Sequence, residues 1–263
     1  MGNIIQQVDI ARIKNNIKTL TRDSIIDEDI LDIHINGKKT FQMVFSMTHT
    51  PALAAGFLFT QGIVREKADI LDLVFIEETK QCRVILRDSA LKRLDEFKTM
   101  GSIRGSSGGA LLQNPGRISI PERTRDFSIT YDQVSALIRM HGDHSELFHK
   151  TGAVHSAGLC DPLHILAYYE DIGRHNALDK LAGEVLLKGL FTGDKVATLS
   201  CRMSLEIIGK IIRTGIPVVI SNAAPTLSAV RLADRAGLTL IGFARDSRFN
   251  IYSHDERIRP GIV

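Results

Sequence analysis

The chain has 263 residues, of which 44% are hydrophobic and 24% charged, with 33 lysines and arginines against 30 aspartates and glutamates. This composition excludes a disordered tail protein, a collagen-like fibre and a small disulfide scaffold, and the length predicts two domains. The charges are interspersed and no apolar run is long enough to span a membrane, so we expect neither nucleic acid nor a membrane as partner. An anionic partner is expected to be small.

Three cysteines, Cys82, Cys160 and Cys201, lie far apart in the chain. An odd number at such spacing does not form the disulfide framework of a secreted protein, which favours a reducing cytoplasm. The first 18 residues alternate apolar and polar side chains, which predicts a strand or short helix and no signal peptide.

The first 98 residues have the pattern of an α+β unit. Alternation from Asp27 to Thr48 around Asn36-Gly37 predicts a hairpin. Pro51 and Gly62 bracket strong helix formers, which predicts a helix between them. A further strand pair is expected at 74–77 and 82–86, followed by a helix at 90–98.

Glycine and serine dominate residues 100–121, which predicts a mobile connection between domains at 1–121 and 122–263. Beyond it, strands and helices alternate, which predicts a layered α/β domain with a mostly parallel sheet. The expected helices are 131–141, a second piece ending at Thr151-Gly152, 176–190, 204–214 and 226–236, and the strands are 153–159, 165–170, 196–200, 218–221, 238–244 and 249–252.

Ligands of α/β sheets gather beyond the carboxyl ends of strands, so the segments between strand and helix are candidate sites. The segment from Glu170 to Lys180 is the first. Asn176 is expected to cap the helix and Asp179 to complete a capping box, while the exposed amides, with Arg174 and His175, would bind an anion. A well-capped helix with a solvated charged face explains the same residues.

Two further segments have similar alternatives. Cys201 precedes a helix and adjoins Arg202, and both features would favour a thiolate, although a small residue packed in a tight turn fits equally. Ser221 and Thr226 flank the next turn, where they would contact a ligand or cap the helix.

The fourth segment contains two arginines and two phenylalanines around a turn. Arginine forks recognise phosphate, and aromatic rings stack on purine bases, although a charged hairpin is the common alternative. The candidate cofactor-binding residues here are Phe243, Ala244, Arg245, Asp246, Ser247 and Arg248.

No metal site is predicted. His141, His144 and His149, with Glu146, have a spacing compatible with zinc, but a polar helical face explains it equally. His155 resembles a ligand of zinc deaminases, yet their Pro-Cys-x-x-Cys pair and catalytic glutamate have no counterpart.

The string Gly173–Lys180, GRHNALDK, resembles the signature of the FdhD/NarQ family of formate dehydrogenase accessory proteins. Other stretches resemble the family over nearly the whole chain. They are 54–64, 151–157, 200–206, 224–226 and 242–252.

The resemblance implies a cytoplasmic, dimeric sulfur carrier with a cytidine-deaminase-like core. Such a protein takes sulfur from a cysteine desulfurase and passes it to molybdenum bis(molybdopterin guanine dinucleotide), before this cofactor enters formate dehydrogenase. GDP-like nucleotides are then expected to mimic the ligand.

One departure concerns the sulfur chemistry. Family members usually carry Cys-x-x-Cys in the loop, where this chain has Ser106 and Ser107 in the stretch 103–110, IRGSSGGA. A hydroxyl forms no persulfide. Three hypotheses remain: a sulfurtransferase using another thiol, best placed at Cys201; a non-catalytic cofactor-binding chaperone; and a phosphate-binding enzyme of another kind.

Overall fold

The computed structural model describes residues 4–99 and 127–261, beginning with an antiparallel hairpin of β1 (Ile5–Lys14) and β2 (Ile17–Ile26). Asn15 and Asn16 form its turn with φ of 50° and 64°, a conformation that asparagine tolerates. Of the strand or short helix predicted for the first 18 residues, the strand is confirmed. The second strand was missed because its polar, exposed side chains resemble those of a loop.

A four-stranded sheet follows, in the order β4-β3-β6-β5. The predicted hairpin is confirmed, and its turn residues Asn36 and Gly37 both have positive φ. Leu31, Ile33 and Ile35 alternate into the core from one strand. The elements are β3 (Asp29–Ile35), β4 (Lys38–Phe45), β5 (Ile70–Ile76), β6 (Gln81–Leu86) and the flanking helix α2 (Asp88–Thr99).

Helix α1 (Thr50–Thr60) is buried on nearly every side and packs along α5 (Arg174–Lys188). The two backbones touch at glycines. A Cβ on Gly56 would lie 1.7 Å from the carbonyl oxygen of Asp179, and one on Gly183 would lie 1.9 Å from that of Ala52. Only glycine permits this approach, which joins the two predicted domains of the chain.

The carboxyl-terminal sheet has six strands in the order β13-β12-β11-β10-β8-β9. Among the described strands of this sheet, only the pairings β10–β11 and β11–β12 are parallel and the other three are antiparallel, so the prediction of a mostly parallel sheet is wrong. Short turns join β8 to β9 and β12 to β13, and strands joined this way pair antiparallel. The strands are β8 (His155–Cys160), β9 (Ile165–Asp171), β10 (Val196–Leu199), β11 (Val218–Ser221), β12 (Thr239–Arg245) and β13 (Arg248–Ser253).

Helices cover both faces of this sheet, which confirms the layered α/β class. One apolar core joins α5, α6 (Leu205–Thr214) and α7 (Leu227–Arg235) to one face, and another joins α3 (Tyr131–Asp143) to the opposite face. The remaining elements are β7 (Ile129–Thr130), α4 (Glu146–Thr151) and β14 (Ile258–Arg259).

The predicted glycine-rich connection at 100–121, and with it the domain boundary, lies outside the described residues. The division at 121/122 therefore stays a prediction. Within 4–99 and 127–261, no helix combines the length and apolarity needed to cross a membrane.

We expect Gly56→Ala to lower the free energy of unfolding by about 3 kcal/mol, because the added methyl group forces α1 away from α5. Urea denaturation measures the change. Gly142→Ala in α3 is the control, since its Cβ would meet nothing within 4 Å, and its effect should stay within about 1 kcal/mol. Equal effects of the two substitutions would contradict this prediction.

Candidate functional site

A cleft of about 720 Å³ opens at the carboxyl ends of the three parallel strands. Ser200 follows β10, Asn222 follows β11, and Arg245 ends β12, and all three line the cleft. This is the edge at which α/β sheets bind ligands. The segments after β10 and β12, selected from the sequence, thus meet in one place.

The opposite wall of the cleft comes from α3, α4 and the start of β8. Arg139 and His149 contribute polar groups. Phe148, which is 51% exposed, contributes an aromatic ring. An aromatic face beside an arginine suits a ligand with both a flat ring and negative charge. Arg139 and Phe148 were not predicted from the sequence, because helical spacing alone does not show which face borders a cleft.

Arg174, at the start of α5, and Arg202, shortly before α6, add positive charge beside the cleft. Burial lowers the pKa of His155, which lines the cleft, and the charges of Arg174 and Arg202 lower it further. Within the described residues, the buried Nε of Arg174 has no hydrogen-bond partner. A buried N–H of this kind is costly when unpaired, so Arg174 can donate to an anionic ligand without losing an existing bond.

His175 is neutral and close to Glu206 at the start of α6. Its Nε2 lies 3.2 Å from the carboxylate Oε2, but the two atoms are not aligned as a hydrogen bond. Burial, followed by the charges of Lys210 and Arg174, lowers the pKa of His175 to about 3. His175 therefore adds no positive charge at neutral pH, contrary to a role in attracting anions.

The predicted helix cap at Asn176 is wrong. Helix α5 begins at Arg174 with Gly173 as its N-cap. The Asn176 side chain instead donates to the carbonyl oxygen of Val44 at 2.8 Å and to Oδ1 of Asp171 at 3.0 Å. It ties the loop before α5 to the amino-terminal sheet, so its amide is already occupied.

Asp179 is not a capping-box acid but half of a buried ion pair. Its Oδ2 accepts from Nζ of Lys210 at 2.5 Å, and its Oδ1 accepts from the Thr60 hydroxyl at 2.7 Å. A second pair joins Lys180 to Asp171 at 2.7 Å, with both side chains fully buried. Removing one member of such a pair strands a buried charge, so these residues hold α5 and its preceding loop in place.

The expectation that Cys201 favours a thiolate is wrong. Burial raises the pKa of its thiol to about 12, and this outweighs the opposing charges of Arg174 and Arg202. The helix begins only at Leu205, so Cys201 lies several residues before its start. Burial also raises the pKa values of Cys82 and Cys160 to about 12. All three thiols of the chain are buried.

The turn between β12 and β13 divides between two clefts. Arg245 and Asp246 line the cleft described above, together with the buried Ala244, whereas Ser247 and Arg248 line a separate groove. The structure therefore does not bring the two arginines into one pocket. Phe243 is 42% exposed at a φ of 53°.

The hydroxyls of Ser221 and Thr226, predicted as ligand contacts or helix caps, form hydrogen bonds within the protein. Ser221 donates to the carbonyl oxygen of Cys201 at 2.8 Å. Thr226 is the N-cap of α7 and accepts from the amide of Ala229. The capping alternative for Thr226 is thus confirmed. Arg202 is exposed at the neighbouring turn that follows β10.

A polar network at the cleft wall was not predicted from the sequence. His141 is buried, with Nδ1 at 2.7 Å from Thr198 Oγ1 and Nε2 at 2.9 Å from Ser156 Oγ. These residues come from α3, β10 and β8, so no spacing in the chain signals their contact. Among residues 4–99 and 127–261, no group of three metal-ligating side chains is formed.

The buried His141 predicts a loss of stability in mild acid. Burial lowers its pKa from 6.5 to about 4. The unfolded chain therefore binds this proton first as the pH falls, and the stability present above pH 6.5 is lost down to about pH 4. We expect His141→Gln to flatten the dependence of unfolding free energy on pH by up to about 1.4 kcal/mol per pH unit in this window.

Urea denaturation at several pH values measures both slopes. The exposed His164→Gln is the control and should retain the slope of the unsubstituted protein. An unchanged slope in His141→Gln would contradict the prediction.

Comparisons with known proteins agree with this fold. A protein of Bacillus subtilis named sulfur carrier protein FdhD is 33% identical over 253 residues, covering 95% of this chain and 96% of the relative. A Staphylococcus haemolyticus protein of the same name is 34% identical over 260 residues, covering 98% of each chain.

A crystal structure from Desulfotalea psychrophila, of a protein described as a formate dehydrogenase accessory protein, superimposes with a TM-score of 0.81. It covers 97% of this chain and 100% of the other, at 23% identity, which establishes the fold. The sequence profile of the FdhD/NarQ family matches residues 26–259. This chain belongs to the FdhD/NarQ family.

Proposed function

We propose that this chain is a formate dehydrogenase accessory protein that binds the guanine dinucleotide form of the molybdenum cofactor without carrying sulfur on a cysteine of its own. The names of its relatives support the accessory role. The burial of every cysteine is the observation that separates binding from sulfur transfer.

The cleft suits a phosphate-bearing nucleotide. Arg245 lines it, and Arg202 adds charge at the same edge. The buried Nε–H of Arg174, whose charge acts on His155, has no partner in the part of the chain that the structure describes. Guanidinium groups bind phosphate oxygens through charge-assisted hydrogen bonds. The exposed ring of Phe148 offers a surface on which a purine base can stack.

The cysteines do not suit a persulfide relay. In such a relay a thiolate attacks the outer sulfur of the desulfurase persulfide, and the desulfurase cysteine leaves as a thiolate. Burial raises the pKa of the Cys201 thiol to about 12, so this thiol is not ionised at neutral pH. Cys201 is also only 3% exposed, so a partner protein has little access to it.

We expect GDP to bind in the cleft and to lose roughly tenfold or more in affinity in Arg245→Ala and in Arg174→Ala, because each loses a charge-assisted bond worth about 1.5 to 3 kcal/mol. Isothermal titration calorimetry measures the dissociation constants. Arg248→Ala distinguishes the two clefts, because Arg248 lines the separate groove. This variant should bind GDP as tightly as the unsubstituted protein.

A loss confined to Arg248→Ala would place the nucleotide in that groove and contradict the assignment to the cleft. Equal GDP binding by all three variants would exclude every one of these arginines as a major contact.

We expect no persulfide on this chain after incubation with a cysteine desulfurase and labelled cysteine, read by mass spectrometry. Restoring Cys-x-x-Cys with Ser106→Cys and Gly109→Cys should produce label on the new thiols. The matched double variant Ser106→Ala and Gly109→Ser should stay unlabelled. Near-stoichiometric label on Cys201 of the unsubstituted protein would overturn this part of the proposal.

A further inference from the structure

Helix α4 supplies the aromatic side of the cleft, yet little in its own sequence holds it in place. It has six residues, none of them buried, and its N-cap, Ser145, makes no side-chain hydrogen bond to the first turn. A helix of this length is not stable by itself in water. The position of Phe148 in the cleft therefore depends on contacts between α4 and other parts of the chain, among them strand β2.

The carboxylate of Glu170, near the end of β9, supplies the missing cap. Its Oε2 accepts from the amide of Leu147 at 2.9 Å, and its Oε1 accepts from the amide of Phe148 at 3.0 Å. Both oxygens bind the first turn of α4, where amides have no partner within the helix and a negative charge is favourable. The bond to the Phe148 amide fixes the backbone that carries the ring.

Glu170 is itself held in the core of the protein. Its carbonyl oxygen accepts from Nζ of the buried Lys180 at 3.0 Å, and Lys180 also pairs with Asp171. Tyr168 leaves the same face of β9 and donates to the carbonyl oxygen of His141, in the last turn of α3, at 2.9 Å. The strand thus holds the segment from α3 to α4 at two points.

We propose that Glu170 is a positioning residue for base recognition, because its carboxylate holds Phe148 where the ring stacks on the guanine of the bound nucleotide. The inference rests on the proposed function, since it takes the cleft as the nucleotide site. Within the described residues, the wall of the cleft does not include Glu170, so this carboxylate acts through α4 and not on the ligand.

Base binding and phosphate binding are then separable. Arg245 lies at the end of β12, whereas Phe148 lies on α4, on the opposite wall of the cleft. Loosening α4 therefore weakens the contact with the base and leaves the arginine contacts with phosphate unchanged. A general loss of structure would weaken both.

Glu170→Ala should lower the affinity for GDP roughly tenfold, because a loosened ring stacks less well, and should leave the affinity for inorganic pyrophosphate unchanged. Isothermal titration calorimetry measures both. Glu170→Gln keeps one acceptor oxygen and should restore part of the loss. Glu146→Ala is the control, since Glu146 lies in the same turn of α4 but pairs with Lys150 at the surface, and this variant should bind both ligands normally.

A double-mutant cycle tests whether the effect passes through the ring. Phe148→Ala removes the ring, so adding Glu170→Ala to it should cause no further loss of GDP affinity. A further loss in the double variant, or weaker pyrophosphate binding by Glu170→Ala, would overturn the proposal.

Hydrogen exchange measured by NMR tests the positioning without a ligand. In Glu170→Ala the amides of Leu147 and Phe148 lose their acceptor and should exchange roughly tenfold faster, whereas Glu146→Ala should leave both rates unchanged. Unchanged rates in Glu170→Ala would overturn the positioning role whether or not GDP binds. Absence of GDP binding by the unsubstituted protein would overturn the proposed function and the stacking role together, whereas normal GDP affinity in Glu170→Ala would overturn the stacking role alone.

Discussion

The rest of the structure depends on the direct contact between the backbones of α1 and α5. Gly56 and Gly183 remove the side chains that would separate the helices, and a Cβ at either position would lie within 2 Å of a carbonyl oxygen. Since α1 comes from the amino-terminal half of the chain and α5 from the carboxyl-terminal half, this contact joins the two sheets. The helices approach too closely for water, so polar side chains at the contact must find partners within the protein.

Two buried lysine–carboxylate pairs meet that requirement. Lys180 binds Asp171 and also donates to the carbonyl oxygens of Ser46 and Glu170, so it links α5 to the end of β9 and to the amino-terminal sheet. Lys210 binds Asp179 and thereby links α6 to α5. The Lys180–Asp171 pair holds the start of the loop between Asp171 and Arg174, and the Lys210–Asp179 pair holds the helix α5 that follows it. Together these bonds fix the position of Arg174 at the start of α5. The geometry of the candidate anion site is thus a consequence of interactions in the core.

Around the site, the charged arginine side chains of the sheet edge are exposed, whereas the groups that could act as nucleophile or base are buried and uncharged. Arg245 and Arg202 are exposed at the sheet edge, whereas the nearby thiol of Cys201 and imidazole of His175 are buried and uncharged. A surface of this kind can attract and hold an anion through fixed charges, but it offers no ionised nucleophile from cysteine. This contrast supports our proposal that the protein binds its ligand without carrying sulfur on a cysteine of its own, although its relatives are named sulfur carriers.

Periodicity and turn chemistry determined most of the secondary structure from the sequence alone. The hairpin around Asn36-Gly37, the helix after Pro51 and the capping threonine at 226 were predictable because each depends on neighbours within a few residues. The string GRHNALDK likewise indicated the family by itself, and the family profile confirmed it.

The tertiary structure alone decided the protonation and the roles of the residues in that string and around it. Asp179 pairs with Lys210, 31 positions away, and Asn176 with the carbonyl of Val44, 132 positions away, so neither partner is visible in a local pattern. For Cys201, the local signals of a helix start and Arg202 pointed to a thiolate, but desolvation by distant parts of the chain outweighed them. Burial is a property of the whole fold, and at Cys201 it outweighs the charges of the residues nearby in the sequence.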